Sequence, residues 1–187
     1  MKASDARSVR SRRALLDAGL EMLLQNPNAT LSEVAVHAGV GRATLYRHFD
    51  TREALIKALL MECLEVTEAV VNPIFDLELS SRETIERMLR VVVPLADKYH
   101  FLLSLWSVAS NDKEINDIYN QQLSTLYELF EAAKAEGSIK PHLSSDWLVS
   151  VLDSLLYSAW WLIGEKQITE QQAVDQILET LFTGIET

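Results

Sequence analysis

Apolar residues recur every three or four positions along most of the chain, and polar punctuation cuts the pattern into helix-length pieces. In 145–163, Leu148, Leu152, Leu155, Ala159 and Leu162 keep this spacing, and Ile168, Val174, Ile177, Leu178 and Leu181 continue it after a turn. No strong strand-like alternation appears. Candidate helix starts are a small polar residue with Glu or Gln three positions later: Thr30/Glu33, Asp50/Glu53, Ser80/Glu83, Asn111/Glu114 and Thr169/Gln172. Breaks are expected at Pro27, Pro73, Gly137 with Pro141, and Gly164. The pattern predicts an all-α chain of about nine helices, near 8–25, 31–37, 42–48, 52–70, 81–99, 101–109, 112–136, 145–163 and 170–184. Pro94 falls inside the fifth and is expected to kink it, because proline removes a backbone donor and crowds the preceding turn.

The second and third helices are short and joined by Ala38-Gly39-Val40-Gly41, the length and glycine content of a helix-turn-helix turn. Gly39 can take a left-handed backbone without strain. Val40, Leu45 and Phe49 are expected to face inward with Leu31, Val34 and Ala35. Arg42, Ala43, Tyr46 and Arg47 then share the opposite face, small at its start and basic-aromatic beyond, a shape that can enter a DNA major groove.

Charge sharpens this picture. The 187 residues carry a formal net charge of −10, yet residues 1–60 hold nine basic and six acidic groups, net +3, and the remainder eight basic and 21 acidic, net −13. That asymmetry suggests a polyanion-binding head on an acidic body. Hydrophobic residues make up 48% of the chain, enough for a core. The longest apolar run, between Asp153 and Glu165, is shorter than a membrane span, and the N-terminus lacks the apolar stretch of a secretory signal, so no membrane is expected as a partner. One cysteine, Cys63, allows no internal disulfide, and a reducing cytoplasm is the expected compartment.

The stretch Thr30 to Leu60, TLSEVAVHAGVGRATLYRHFDTREALIKALL, resembles the DNA-binding motif of the TetR family of bacterial transcriptional regulators. The likeness rests on the Ala-Gly-Val turn, on Thr-Leu-Tyr-x-His-Phe, and on Glu-x-Leu opening the fourth helix; elsewhere it is confined to length and helical layout. The resemblance implies a helix-turn-helix DNA-binding domain over 1–52 and a ligand-binding and dimerisation domain over 53–187. It implies that Gly41, Arg42 and Ala43 read bases, Gly41 standing where serine is commoner. It implies phosphate contacts for Thr44, Tyr46 and His48, either role for Arg47, a phosphate contact for Arg52 in place of the usual lysine, and backbone or base contacts for Thr30 and Ser32. The basic stretch Arg7, Arg10, Arg12 and Arg13 can add nonspecific phosphate contacts.

The resemblance also implies that the last two helices dimerise as a four-helix bundle, with Leu148, Leu152, Leu155, Ala159, Leu162, Ile177 and Leu181 as candidate interface residues, part of the same stripe serving as core. It implies a small-molecule cavity among the fifth to eighth helices. Candidates there are Tyr99, Trp106, Tyr119, Tyr127, Asp153, Tyr157 and Trp160. Asp153, mid-helix among apolar residues, either meets a cationic or hydroxylated ligand, pairs across a dimer, or is a structural carboxylate.

His37, His48, His100, His142 and Cys63 lack metal-ligand spacing, and neither a glycine-rich phosphate loop nor a nucleophile elbow is present, so no cofactor and no enzyme activity is expected. The function expected is a homodimeric, ligand-responsive transcriptional regulator, a repressor released from a palindromic double-stranded DNA operator by a largely apolar small molecule. The alternative is a helical dimeric small-molecule or protein-binding module that no longer binds DNA. Arg42, Tyr46, Arg47 and Arg52 weigh against it.

Overall fold

The computed structural model describes residues 3–105 and 111–184. The described residues form helices without a strand: α1 (Ala3–Gln25), α2 (Leu31–His37), α3 (Arg42–His48), α4 (Arg52–Phe75), α5 (Ser81–Val92), α6 (Ala96–Ser104), α7 (Lys113–Ala135), α8 (Ser145–Gly164) and α9 (Glu170–Phe182). A 3₁₀ turn, Val93–Leu95, separates α5 from α6 with Pro94 at its centre, so the expected kink is a break in the regular helix.

Three capping boxes form as the sequence predicts, at Thr30/Glu33, Ser80/Glu83 and Thr169/Gln172. Two starts are shifted by one residue. Thr51, not Asp50, caps α4 by accepting from the Ala54 amide at 3.0 Å. Asp112 caps α7 by accepting from the amides of Glu114 and Ile115. Two breaks also move. Pro73 lies within the last turn of α4, which ends two residues later. The turn that stops α8 is made by Lys166, at φ 57°, rather than Gly164. Its amide donates to Ile163 O and that of Gln167 to Leu162 O.

Two compact units result. One comprises Met1–Cys63 with Phe101–Ile115, the other Leu64–His100 with Asn116–Thr187. In the first, α1 packs on α2 and α3, and Leu15, Leu23, Leu45, Leu55, Ile56 and Leu60 are fully buried. Lys57 of α4 bridges Asp112 at 2.8 Å and Glu114 at 3.0 Å. A Cβ on Gly19 of α1 would sit 3.2 Å from Leu59 Cδ1 and 3.3 Å from Leu55 Cδ2, so glycine lets α1 and α4 close on each other. Gly19→Leu is therefore expected to overpack this seam by about 1–3 kcal/mol, read as a melting temperature several degrees lower by circular dichroism. An unchanged melting temperature would show that the seam is loose.

In the second unit, α5, α7, α8 and α9 surround a core of Ile85, Leu89, Phe130, Leu148, Leu152, Leu156, Val174 and Ile177. Glu136, near the end of α7, accepts from both the amide and the hydroxyl of Ser81 at the start of α5. By length and composition alone α8, Ser145–Gly164, is long and apolar enough to cross a membrane, a test that a core helix also passes.

Candidate functional site

The helix-turn-helix is built by local chemistry. α2 ends with Gly39 at φ 64°, where the Gly39 amide donates to Val36 O and the Val40 amide to Ala35 O. This paired closure reverses the chain within a few residues and lets the half-buried Val40 tuck under it. Any side chain at Gly39 would pay about 1–2 kcal/mol for that backbone. α3 then seats Leu45, with 0% exposure, beside buried Phe49, Leu31, Val34 and Ala35.

The opposite face is free. Gly41, Arg42, Ala43, Tyr46 and Arg47 are exposed, Tyr46 by 42%. The Arg42 guanidinium lies 5.6 Å over the Tyr46 ring, which steadies a long side chain across one turn while leaving its N–H edge open. A Cβ on Gly41 would meet nothing within 4 Å, so packing does not demand glycine there. Thr44 and His48 are half-buried. His48 Nε2 is enclosed and makes no hydrogen bond among the described residues. Burial first, then the charges of Arg47 and Arg12, push its pKa below the ordinary histidine value. The ring is therefore held neutral beside two guanidiniums, a local field suited to an anion.

Thr30 and Ser32 are exposed at the start of α2. The Thr30 hydroxyl accepts from the Glu33 amide, and the Thr30 amide and hydroxyl both donate to the Glu33 carboxylate, lowering its pKa. Arg52 is half-buried and differently employed from the expected phosphate contact. Its Nε donates to Ala29 O at 3.0 Å and an Nη to Pro27 O, clasping the α1–α2 connection to the first turn of α4. Of the α1 arginines, Arg7, Arg10 and Arg12 are exposed, and Arg12 stands 5.7 Å over the Phe49 ring. Arg13 is engaged by Asp17 and by Glu62, at 2.7 Å.

In the second unit, α8 divides into three sectors. Its core sector holds Leu148, Leu152, Leu156 and Ala159. This corrects the interface expectation for Leu148, Leu152, Ala159 and for Ile177 of α9: all four are buried within the protomer. Leu155 and Leu181 are partly buried against the same core, and Leu162 is half-buried. The 3–4 stripe is thus spent internally. The exposed sector is different: Trp147 at 61%, Ser150, Ser154, Ser158 and Trp161 at 51%. The Ser154 and Ser158 hydroxyls donate back to Ser150 O and Ser154 O, so the stripe presents small, internally satisfied surface between two indoles.

The third sector carries Asp153, Tyr157 and Trp160. His100 of α6 stacks on Trp160 with ring centroids 3.4 Å apart and an interplanar angle of 8°. Tyr157 lies 5.6 Å from each. Tyr119 of α7 has its pKa pushed up to about 12 by burial, with the Asp153 charge adding to it. Asp153 thus lies within electrostatic reach of Tyr119, while Tyr157 and Trp160 form a ring cluster with His100, which periodicity did not single out. Tyr127 is exposed and bonded to Glu131 instead. Trp106 and the Tyr99 side chain lie outside the described residues.

Comparison with known proteins agrees with this geometry. Residues 15–59 match the family model for bacterial regulatory proteins, tetR family, a span from α1 into α4 that includes the whole helix-turn-helix. The chain is 27% identical over 180 residues to the HTH-type transcriptional repressor LfrR of Mycolicibacterium smegmatis, covering 95% of this chain and 92% of that one. It is 32% identical over 92 residues to the HTH-type transcriptional regulator TtgW of Pseudomonas putida, covering 48% of this chain and 67% of that one. The crystal structure of LfrR from Mycobacterium smegmatis in complex with proflavine superposes with a TM-score of 0.78 at 24% identity, over 97% of this chain and 99% of that one, a likeness of fold. With its helix-turn-helix, its all-helical body and these relatives, the chain belongs to the TetR family of bacterial transcriptional regulators.

Proposed function

We propose that this regulator is a homodimeric repressor of the cytoplasm that binds an inverted repeat through α3 and is released by a flat, largely apolar molecule carrying positive charge. The observation that carries the reading is the exposure of Arg42, Tyr46 and Arg47 on one face of a helix whose other face is fully spent on packing. Arg42 heads that helix, where a guanidinium can address guanine O6 and N7 in two parallel bonds. Tyr46, His48 and Thr44 add phosphate contacts, Arg47 a base or phosphate contact, and Thr30 and Ser32 backbone or base contacts. Arg52 acts chiefly by holding α2 against α4.

Dimerisation uses the exposed sector of α8. A second copy covers Trp147 and Trp161, and the serine stripe lets two helices approach closely. A two-fold axis there makes the patch self-complementary, and an inverted repeat is the DNA that a two-fold dimer matches.

The effector site is the third sector. Aromatic faces of Trp160 and Tyr157 suit a flat ring, and Asp153 suits its charge. The solved LfrR complex contains proflavine, a molecule of this description. A ligand that prefers the non-binding arrangement by about 1–3 kcal/mol suffices to shift the population. α4 is one unbroken helix that begins in the unit holding α3 and ends in the other.

A mobility-shift titration tests this reading. The operator complex should dissociate as proflavine is added, and Asp153→Asn should move release to higher dye concentration. Equal release by wild type and Asp153→Asn would remove Asp153 from the site.

A further inference from the structure

We propose that His100 is a built-in occupant of the effector site: its imidazole lies on the face of Trp160 that a flat effector takes, and binding requires its displacement. This deepens the effector reading given above and rests on it.

The stack is unusually complete. The two rings are 3.4 Å apart at 8°, whereas the other aromatic contacts of this cluster among the described residues are tilted or edge-on at 5.6–6.0 Å. One face of Trp160 is therefore covered by a planar heteroaromatic ring, the same shape and contact distance that a bound flat dye would present. Tyr157 contacts both rings of the stack and is 44% exposed, so the edge of the cluster opens to solvent. His100 comes from α6, which follows the 3₁₀ turn at Val93–Leu95. Departure of the imidazole moves a residue of this short helix, while Trp160 and Asp153 stay on the long, core-anchored α8.

The occupant sets affinity and selectivity together. An effector has to replace the stacking it removes, so its apparent affinity is lowered by the fraction of molecules in which Trp160 is covered. Flat aromatic molecules recover that loss on the exposed indole. An aliphatic cation does not, although Asp153 would attract it equally. His100 accordingly sets a threshold of affinity that ring-bearing effectors pass by stacking on the indole.

The experiment compares dye binding by tryptophan quenching in the full-length wild type and four variants, with proflavine as the flat cation and tetrapropylammonium as the non-planar one. His100→Ala should bind proflavine about 3- to 10-fold more tightly than wild type, since the competing stack is gone. His100→Phe, which keeps a ring in place, should stay near wild type. Trp160→Leu should bind proflavine much more weakly. His100→Ala should strengthen tetrapropylammonium by no more than the factor it gives proflavine, since the removed cost applies only to a ligand that needs the indole uncovered. If His100→Ala weakens proflavine binding or leaves it unchanged while Trp160→Leu abolishes it, the imidazole is not a displaced occupant and the inference is overturned, the effector site standing. If Trp160→Leu and Asp153→Asn also leave proflavine binding unchanged, the effector reading itself has failed. Circular dichroism melts separate either result from unfolding.

Discussion

Simultaneous replacement of Arg42, Tyr46 and Arg47 by alanine is expected to abolish specific DNA binding while leaving the fold intact. All three side chains point to solvent, and Leu45, Phe49 and the Gly39 closure that seat α3 are untouched. Each good base contact is worth about 1–3 kcal/mol, and each phosphate contact contributes to affinity at every sequence. Loss of three such groups from each half of a dimer should lower operator affinity by well over ~100-fold. Arg42→Ala alone should relax sequence preference, because its two-donor edge is the part of the face fit to read guanine. Arg52→Ala should behave differently. It releases the carbonyls of Ala29 and Pro27, so both thermal stability and binding to all sequences should fall together. Retention of wild-type affinity by the triple variant, measured by anisotropy at fixed salt, would exclude α3 as the reading helix.

The second large effect concerns assembly. Ser154→Glu places a carboxylate at the middle of the exposed sector of α8, and a two-fold axis would bring two such charges together. Ser154 is exposed in the protomer, so the variant should fold normally. Leu155, by contrast, packs partly into the core and would confound the experiment. Sedimentation at micromolar concentration should show a dimer for wild type and a monomer for Ser154→Glu. Operator affinity should drop by about 10²–10⁴, since the second half-site contact ceases to be intramolecular. A dimeric Ser154→Glu protein would move the interface elsewhere.

What was legible in the sequence follows from how local the physics is. α2, α3 and the reversal between them are specified by a capping box, by glycine at a positive φ and by an apolar trio at helical spacing, all within 20 residues, and each appears where the pattern puts it. Helix starts shifted only where two capping residues stand in tandem, Asp50-Thr51 and Asn111-Asp112, and nothing local chooses between them. Pro73 did not end α4 because a proline in the last turn removes a single bond from a helix about to finish.

The sectors of α8 were less legible. A helix apolar nearly all round gives no periodic cue to which leucines face the core and which face outward, and packing by α5, α7 and α9 makes that choice. The usable signal was the serine spacing 150, 154 and 158 between Trp147 and Trp161, small residues where a core would have large ones. His100 was missed because its stack on Trp160 joins residues sixty positions apart, on α6 and α8, a relation no local pattern carries.

The central claim is that this acidic chain reads DNA as a dimer through its basic N-terminal head. Selection from random duplexes with the purified full-length protein tests it most directly. The account predicts enrichment of an inverted repeat with half-site centres about one helical turn apart, bound with an affinity that falls steeply as salt rises. Recovery of no common sequence, with no salt-dependent binding to any duplex, would contradict it.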